Sequence, residues 1–167
     1  MPNPVSFDIT SGVDIQEVDN AVNQARKEVA QRYDFKGSKA SIELNQKDNT
    51  LILVADDDFK MTALWEILQG RLVRRGVPTK NLTRGETERA ANDTVKSVVT
   101  LQQGIPTEAA KDIVKFIKDH KLKKVQATIQ ADQVRVSSGS KDDLQEAIRL
   151  LREHDFGVDL QFGNYRS

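Results

Sequence analysis

The sequence predicts an α+β protein made of two ferredoxin-like units of the split βαβ type. Three observations predict it. The apolar pattern switches repeatedly between a period of two and a period near 3.6, and the order strand, helix, strand, strand, helix, and then a strand, is met twice along the 167 residues. The composition, 38% hydrophobic and 30% charged, suits a chain that buries a core and stays in water.

The elements of the first half follow from side-chain period. VSFDIT (5–10) alternates Val5, Phe7 and Ile9 with Ser6, Asp8 and Thr10, the pattern of a half-buried strand. Asp14 with Glu17 three positions on resembles a capping box, and Val18, Val22, Ala25 and Val29 then recur at helical spacing to about Tyr33. ASIELN and TLILVA read as strands joined by the polar loop QKDN. A second helix from about Asp57 to Arg75 carries Met61, Leu64, Trp65, Leu68 and Leu72 on one side, with Gly76 placed to end it. VPTKNLTRGETERAAND reads as a polar connection.

The second half repeats the order. TVKSVVTL is a strand, and Ala110, Ile113, Val114 and Ile117 mark a helix from about Thr107 to His120. Across the turn ADQ, Val125, Ala127 and Ile129 on one strand and Val134 and Val136 on the next point to a single face. The opposite face displays Lys124, Gln126, Thr128, Gln130, Arg135 and Ser137. Ser140, with Asp143 three on, caps a helix whose stripe is Leu144, Ala147, Ile148 and Leu151, and VDLQF closes the half as a strand. In such a unit both helices cover one face of the sheet, so a ligand surface is to be sought on the other.

Composition excludes several classes. The chain has no cysteine and two histidines, His120 and His154, without ligand partners nearby in sequence, so no disulfide framework, metal site or cofactor is expected. No run of apolar residues is long enough to span a bilayer and no secretory signal is evident, so a cytoplasmic protein without a membrane partner is expected. The 25 basic and 25 acidic residues cancel, which argues against bulk electrostatic wrapping of duplex DNA. Any nucleic-acid binding must use a local patch.

One such patch stands out. KFIKDHKLKKVQATIQADQVRVS (115–137) places Lys115, Lys118, Lys121, Lys123, Lys124 and Arg135 against Asp119 and Asp132 only. A solvated helix end running into a strand would account for the charge, and so would a surface on which a helix end and a sheet face share phosphates. A second candidate is RYDFKG (32–37), where Gly37 permits a tight turn and Arg32, Lys36 and Lys39 surround it. A helix end with a glycine stop is the structural alternative there. Tyr165 and Arg166 are placed to stack on and pair with a nucleotide, whereas Phe59, Trp65, Phe116, Phe156 and Phe162 read as core or interface rings.

RYDFKG, LQQGI (101–105), IKDHKLKKVQATIQADQVRVSSGSKDDLQ (117–145) and QFGNYR (161–166), in this order and spacing, resemble the YajQ family of small bacterial proteins over essentially the whole chain. The resemblance implies two RNA-recognition-like, ferredoxin-like domains from a duplication, with first strands exchanged between halves. On that account the first domain is 12–101 and the second joins 1–11 to 102–167. Members are described as nucleotide-binding, with RNA including transfer RNA, purine nucleotides and cyclic dinucleotides as ligands. Two departures fall in the loops: Pro106 stands where the family usually has Asp, and His120 with an extra lysine stands where it often has Ser.

Neither TLILVA nor QVRVS carries the ring by which RNA-recognition strands stack bases, so fold kinship does not transfer that mode of reading. There is no phosphate-loop motif, no dinucleotide fingerprint and no Ser-His-Asp arrangement. The expectation is therefore a noncatalytic nucleotide- or RNA-binding protein. Its site residues are Lys115, Lys118, Lys121, Lys123, Lys124, Gln126 and Arg135, then Arg32, Lys36, Gly37 and Lys39, and Arg166. The alternatives are a cyclic-dinucleotide sensor acting through a protein or DNA partner, and a protein-interaction module. Oligomeric state is left open.

Overall fold

In chain order the elements are β1 (Val5–Thr10), α1 (Ile15–Gln31), β2 (Ser41–Asn45), β3 (Thr50–Ala55), α2 (Asp58–Arg74), β4 (Leu82–Arg84), β5 (Glu88–Ala90), β6 (Thr94–Leu101), α3 (Thr107–Asp119), β7 (Val125–Gln130), β8 (Gln133–Ser138), α4 (Lys141–Glu153) and β9 (Gln161–Arg166). This computed structural model describes residues 4–120, 122 and 124–166. The chain divides into two units, a middle unit of Val13–Gln102 and a terminal unit that joins the residues up to Gly12 to those from Gln103 onward.

The middle unit has a sheet ordered β2-β3-β6-β4, with β5 also on β6, and the helices α1 and α2. Of the stripe expected on α1, Val18, Val22 and Ala25 are buried, together with Ala21, while Val29 is partly buried; on α2, Met61, Leu64, Leu68 and Leu72 are buried, together with Ile67, while Trp65 is partly buried. These side chains meet Leu51 and Leu53 of β3 and Val99 and Leu101 of β6 in one core. Asp14 caps α1 by accepting from the Gln16 N–H at 3.0 Å, while Glu17 accepts from the Asn20 side chain instead of closing a reciprocal box. The stretch read as a polar connection contains β4 and β5. Each is three residues long and pairs with β6 through its backbone, Thr83 with Thr100 and Arg89 with Val95. Strands held by main-chain bonds with mostly exposed side chains leave no apolar alternation to detect.

The terminal unit has a sheet ordered β7-β8-β1-β9. Phe7 and Ile9 of β1 and Val134 and Val136 of β8 lie fully buried against Ala110, Ile113 and Ile117 of α3 and Leu144, Ala147, Ile148 and Leu151 of α4. The last strand begins at Gln161, later than the VDLQF reading, because pairing with β1 starts at Thr10 with Gln161, and Val158 is buried before the strand begins. Ser140 caps α4 through the Asp143 N–H at 3.3 Å, and Pro106 occupies the N-cap of α3.

Gly104 explains the glycine of LQQGI. It adopts φ +79°, its N–H donates to the Ser11 carbonyl at 2.8 Å, and a Cβ there would come within 2.7 Å of the Asp132 Cβ. The neighbouring Ile105 N–H donates to the Asp132 carbonyl at 2.8 Å, which ties this loop to the β7–β8 turn. Gly104→Ala therefore costs about 1–2 kcal/mol, read as a lower urea midpoint, because an L side chain is disfavoured in the left-handed region even before the contact with Asp132 is counted.

Candidate functional site

The outward face of the terminal sheet is built by alternation. With Phe7 and Ile9 turned to the core, Ser6, Asp8 and Thr10 face the other way on an interior strand. Asp8 is 5% exposed, and a carboxylate so covered requires partners. The register supplies one, since Asp8 lies directly opposite Arg135, whose Nε donates to Oδ1 at 2.9 Å. A second comes from the irregularity between β1 and β9, where Asn164 at φ +53° donates its amide to Oδ2 at 2.5 Å. Arg166 lies 4.0 Å from the same oxygen. The Arg135 and then the Asn164 hydrogen bonds hold the Asp8 carboxyl below the usual carboxylate range, against a smaller opposing effect of burial.

Arg135, expected on the outer face as a phosphate ligand, lies on that face with an acidic partner of its own. It is not a lone cation on the outer face; it forms a cross-strand ion pair and is 30% exposed. Asp8 was absent from the candidate residues because only the β1–β8 register reveals its role. Its signal in sequence was a carboxylate at an alternate position of an otherwise apolar strand.

The cations of α3 and the start of β7 are arranged differently. Lys115 and Lys118 are exposed on α3 opposite the buried Ile113 and Ile117, Lys124 is exposed where β7 begins, and Gln126 is exposed within β7. Lys118 and Gln126 line one cleft of about 260 Å³ between α3 and the edge strand β7, with Thr128 beside them and Val114, Ile117 and Val125 forming its apolar floor. Lys115, Lys118 and Lys124 make no ion pair among the described residues. Lys121 and Lys123 lie outside the described residues.

The RYDFKG turn is internally satisfied. Arg32 donates from Nε and Nη2 to both oxygens of Asp34 at 2.9 and 2.8 Å, and also faces Glu28 at 3.9 Å. The pair with Arg32 lowers the Asp34 carboxyl. Gly37 adopts φ +73°, as the turn requires. Beyond it, the Ser38 hydroxyl and the Lys39 N–H, at 3.1 Å, both donate to Asp56, which lowers that carboxyl as well. Lys39 Nζ donates to the Asn92 carbonyl at 2.9 Å. An anion site exists here, then, but the chain's own carboxylate fills it. Lys36 is the exposed cation left at the turn.

The rings divide unevenly. Trp65 packs partly buried in the middle unit and Phe116, Phe156 and Phe162 in the terminal unit. Phe59 does not: it is 79% exposed on the side of α2 away from Met61, Leu64 and Leu68. His120 and His154 stack against Phe116, with centroids 3.9 and 4.9 Å apart. Among the described residues no cluster of His, Asp and Glu side chains is placed to hold a metal, and no helix is long and apolar enough to cross a membrane.

Residues 5–166 match the family described as nucleotide-binding protein YajQ-like. A protein of Solibacter usitatus named "Nucleotide-binding protein" is 54% identical over 162 residues, covering 97% of each chain. One of the same name from Desulfitobacterium hafniense is 54% identical over 166 residues, 99% of this chain and 100% of its own length. Another from Geotalea uraniireducens is 52% identical over 161 residues, 96% of this chain and 98% of the relative.

Proposed function

The chain belongs to the YajQ-like family of nucleotide-binding proteins, and from that premise we propose that it is a noncatalytic, cytoplasmic protein that binds RNA or nucleotide phosphate on the α3–β7 side of its terminal unit. The observation that carries this reading is the contrast in pairing. Arg32, Lys39, Arg135 and the Ser38–Lys39 anion site all have intramolecular partners, whereas Lys115, Lys118 and Lys124 have no ion pair among the described residues. Lys118 lines the cleft with Gln126 and Thr128, and Lys115 and Lys124 are exposed on the two elements that form it, so α3 and the start of β7 offer phosphate cations with polar groups adjacent. Arg135, held by Asp8, then stiffens the sheet face and leaves direct contact to the lysines. The placement of β1 with β7, β8 and β9, and of β6 with β2, β3 and β4, supports reading the units as copies of one split βαβ plan with exchanged first strands.

Titration of labelled single-stranded RNA at two salt concentrations tests the reading. Three phosphate contacts give a slope of about −2 in log K against log salt, or roughly a 20-fold loss between about 50 and 200 mM. Saturable binding without salt dependence contradicts it. A cyclic dinucleotide that binds where RNA does not supports the sensor alternative, and no binding by either supports an interaction module.

A further inference from the structure

We infer that the terminal unit carries a second, separate pocket for a nucleoside monophosphate, between the first half of α4 and the β1–β9 side of the sheet. A cavity of about 300 Å³ lies there, with Val5, Leu144 and Ile148 as its apolar floor. Tyr165 forms one wall. Its ring is 60% exposed and sits 6.1 Å from Phe7 at a 45° tilt, so the core supports it while much of its surface stays open. Lys141, at the first turn of α4, adds a cation to the lining, and Arg166, at the end of β9, borders the cavity with its guanidinium 4.0 Å from Asp8 Oδ2 on the outward face of the sheet.

The charge pattern points to an anion. No carboxylate is among the described residues lining the cavity, and Lys141 makes no ion pair among the described residues. The apolar floor and open ring call for a flat, unsaturated body beside that anion. The Gln145 amide, also in the lining, presents a donor and an acceptor of the kind that recognise a base edge. A volume near 300 Å³ is at the small end of ligand pockets and has room for about one nucleotide. A bare phosphate would leave the floor unused. The inference takes its ligand class from the nucleotide reading, but its residues are independent of the α3–β7 strip.

Calorimetric titration of the full chain with AMP and with GMP tests it, with ribose 5-phosphate and adenosine as partial ligands. Saturable binding of AMP or GMP is expected, weakened about two- to fivefold by Lys141→Ala and about tenfold or more by Tyr165→Ala and retained by Tyr165→Phe, because stacking needs the ring and not the hydroxyl. Ribose 5-phosphate and adenosine should each bind about tenfold or more weakly than AMP. Lys141→Glu serves as a second charge variant, and melting curves confirm that each variant folds. Binding unchanged in both Lys141 variants, or ribose 5-phosphate as tight as AMP, or no saturation by either nucleotide, overturns the pocket. The triple reversal Lys115→Glu, Lys118→Glu, Lys124→Glu separates the two sites. It should remove RNA binding and leave AMP or GMP affinity within about twofold, whereas loss of mononucleotide binding in that variant assigns the ligand to the other face and overturns this inference.

Discussion

Reversing Lys115, Lys118 and Lys124 together to glutamate lowers affinity for single-stranded RNA by about 100-fold or more. Each exposed cation contributes roughly 0.5–1 kcal/mol toward a phosphate, and reversal replaces that attraction with comparable repulsion, so three positions sum to about 3–6 kcal/mol. The salt slope of any residual binding should also flatten. The fold should persist, because all three side chains are exposed and make no ion pair among the described residues. Unfolding midpoints of the variant and the parent should then agree. Lys36→Glu is the matched control. Its lysine is also exposed, but beside a turn whose anion site Asp56 already fills, so RNA affinity should change about twofold at most. A large loss in the control with little in the triple variant would move the site to the middle unit.

The second large effect is on stability. Asp8→Ala should cost about 2–3 kcal/mol, because it removes hydrogen bonds to a charged group that is nearly covered and leaves the Arg135 guanidinium and Asn164 amide without their acceptor. Asp8→Asn retains the shape and loses the charge, so a smaller part of the loss is expected. The pH dependence has a definite sign. Folding lowers the Asp8 carboxyl below its unfolded value, so the native state binds fewer protons than the unfolded one in the acid range. The stabilisation is fully present above about pH 4 and is lost as pH falls through the lowered folded value. Urea midpoints measured from pH 7 to pH 2 should therefore separate parent from Asp8→Asn at neutral pH and converge in acid. Asp56 and Asp34, also lowered, keep some acid dependence in both proteins. A separation that grows as pH falls would contradict the ion-pair account.

Helices and the β7–β8 hairpin were legible because burial imposes a period on side chains: Ala110, Ile113 and Ile117 reach the core at the spacing that predicted them. The strands β4 and β5 were not, because backbone pairing with β6 holds them and leaves most of their side chains exposed. Candidate cations could be located in sequence but not their partners. That Arg135 meets Asp8 follows from a register joining residues 127 apart, and that Asp56 fills the turn at Ser38 and Lys39 follows from the return of β3 toward that loop. Of the core or interface reading of Phe59, the core half fails for a related reason. Aromatic character suggested burial, but its position on α2, opposite the apolar stripe, determined its exposure.

Phosphate should meet the α3–β7 side and not the RYDFKG turn. Amide chemical-shift mapping of the full chain with a single-stranded RNA of about eight nucleotides tests it most directly. The largest changes are expected at Lys115, Lys118, Lys124, Gln126 and Thr128, with Arg32, Lys36, Gly37 and Lys39 unmoved. Changes concentrated at residues 32–39 with α3 and β7 silent would contradict it.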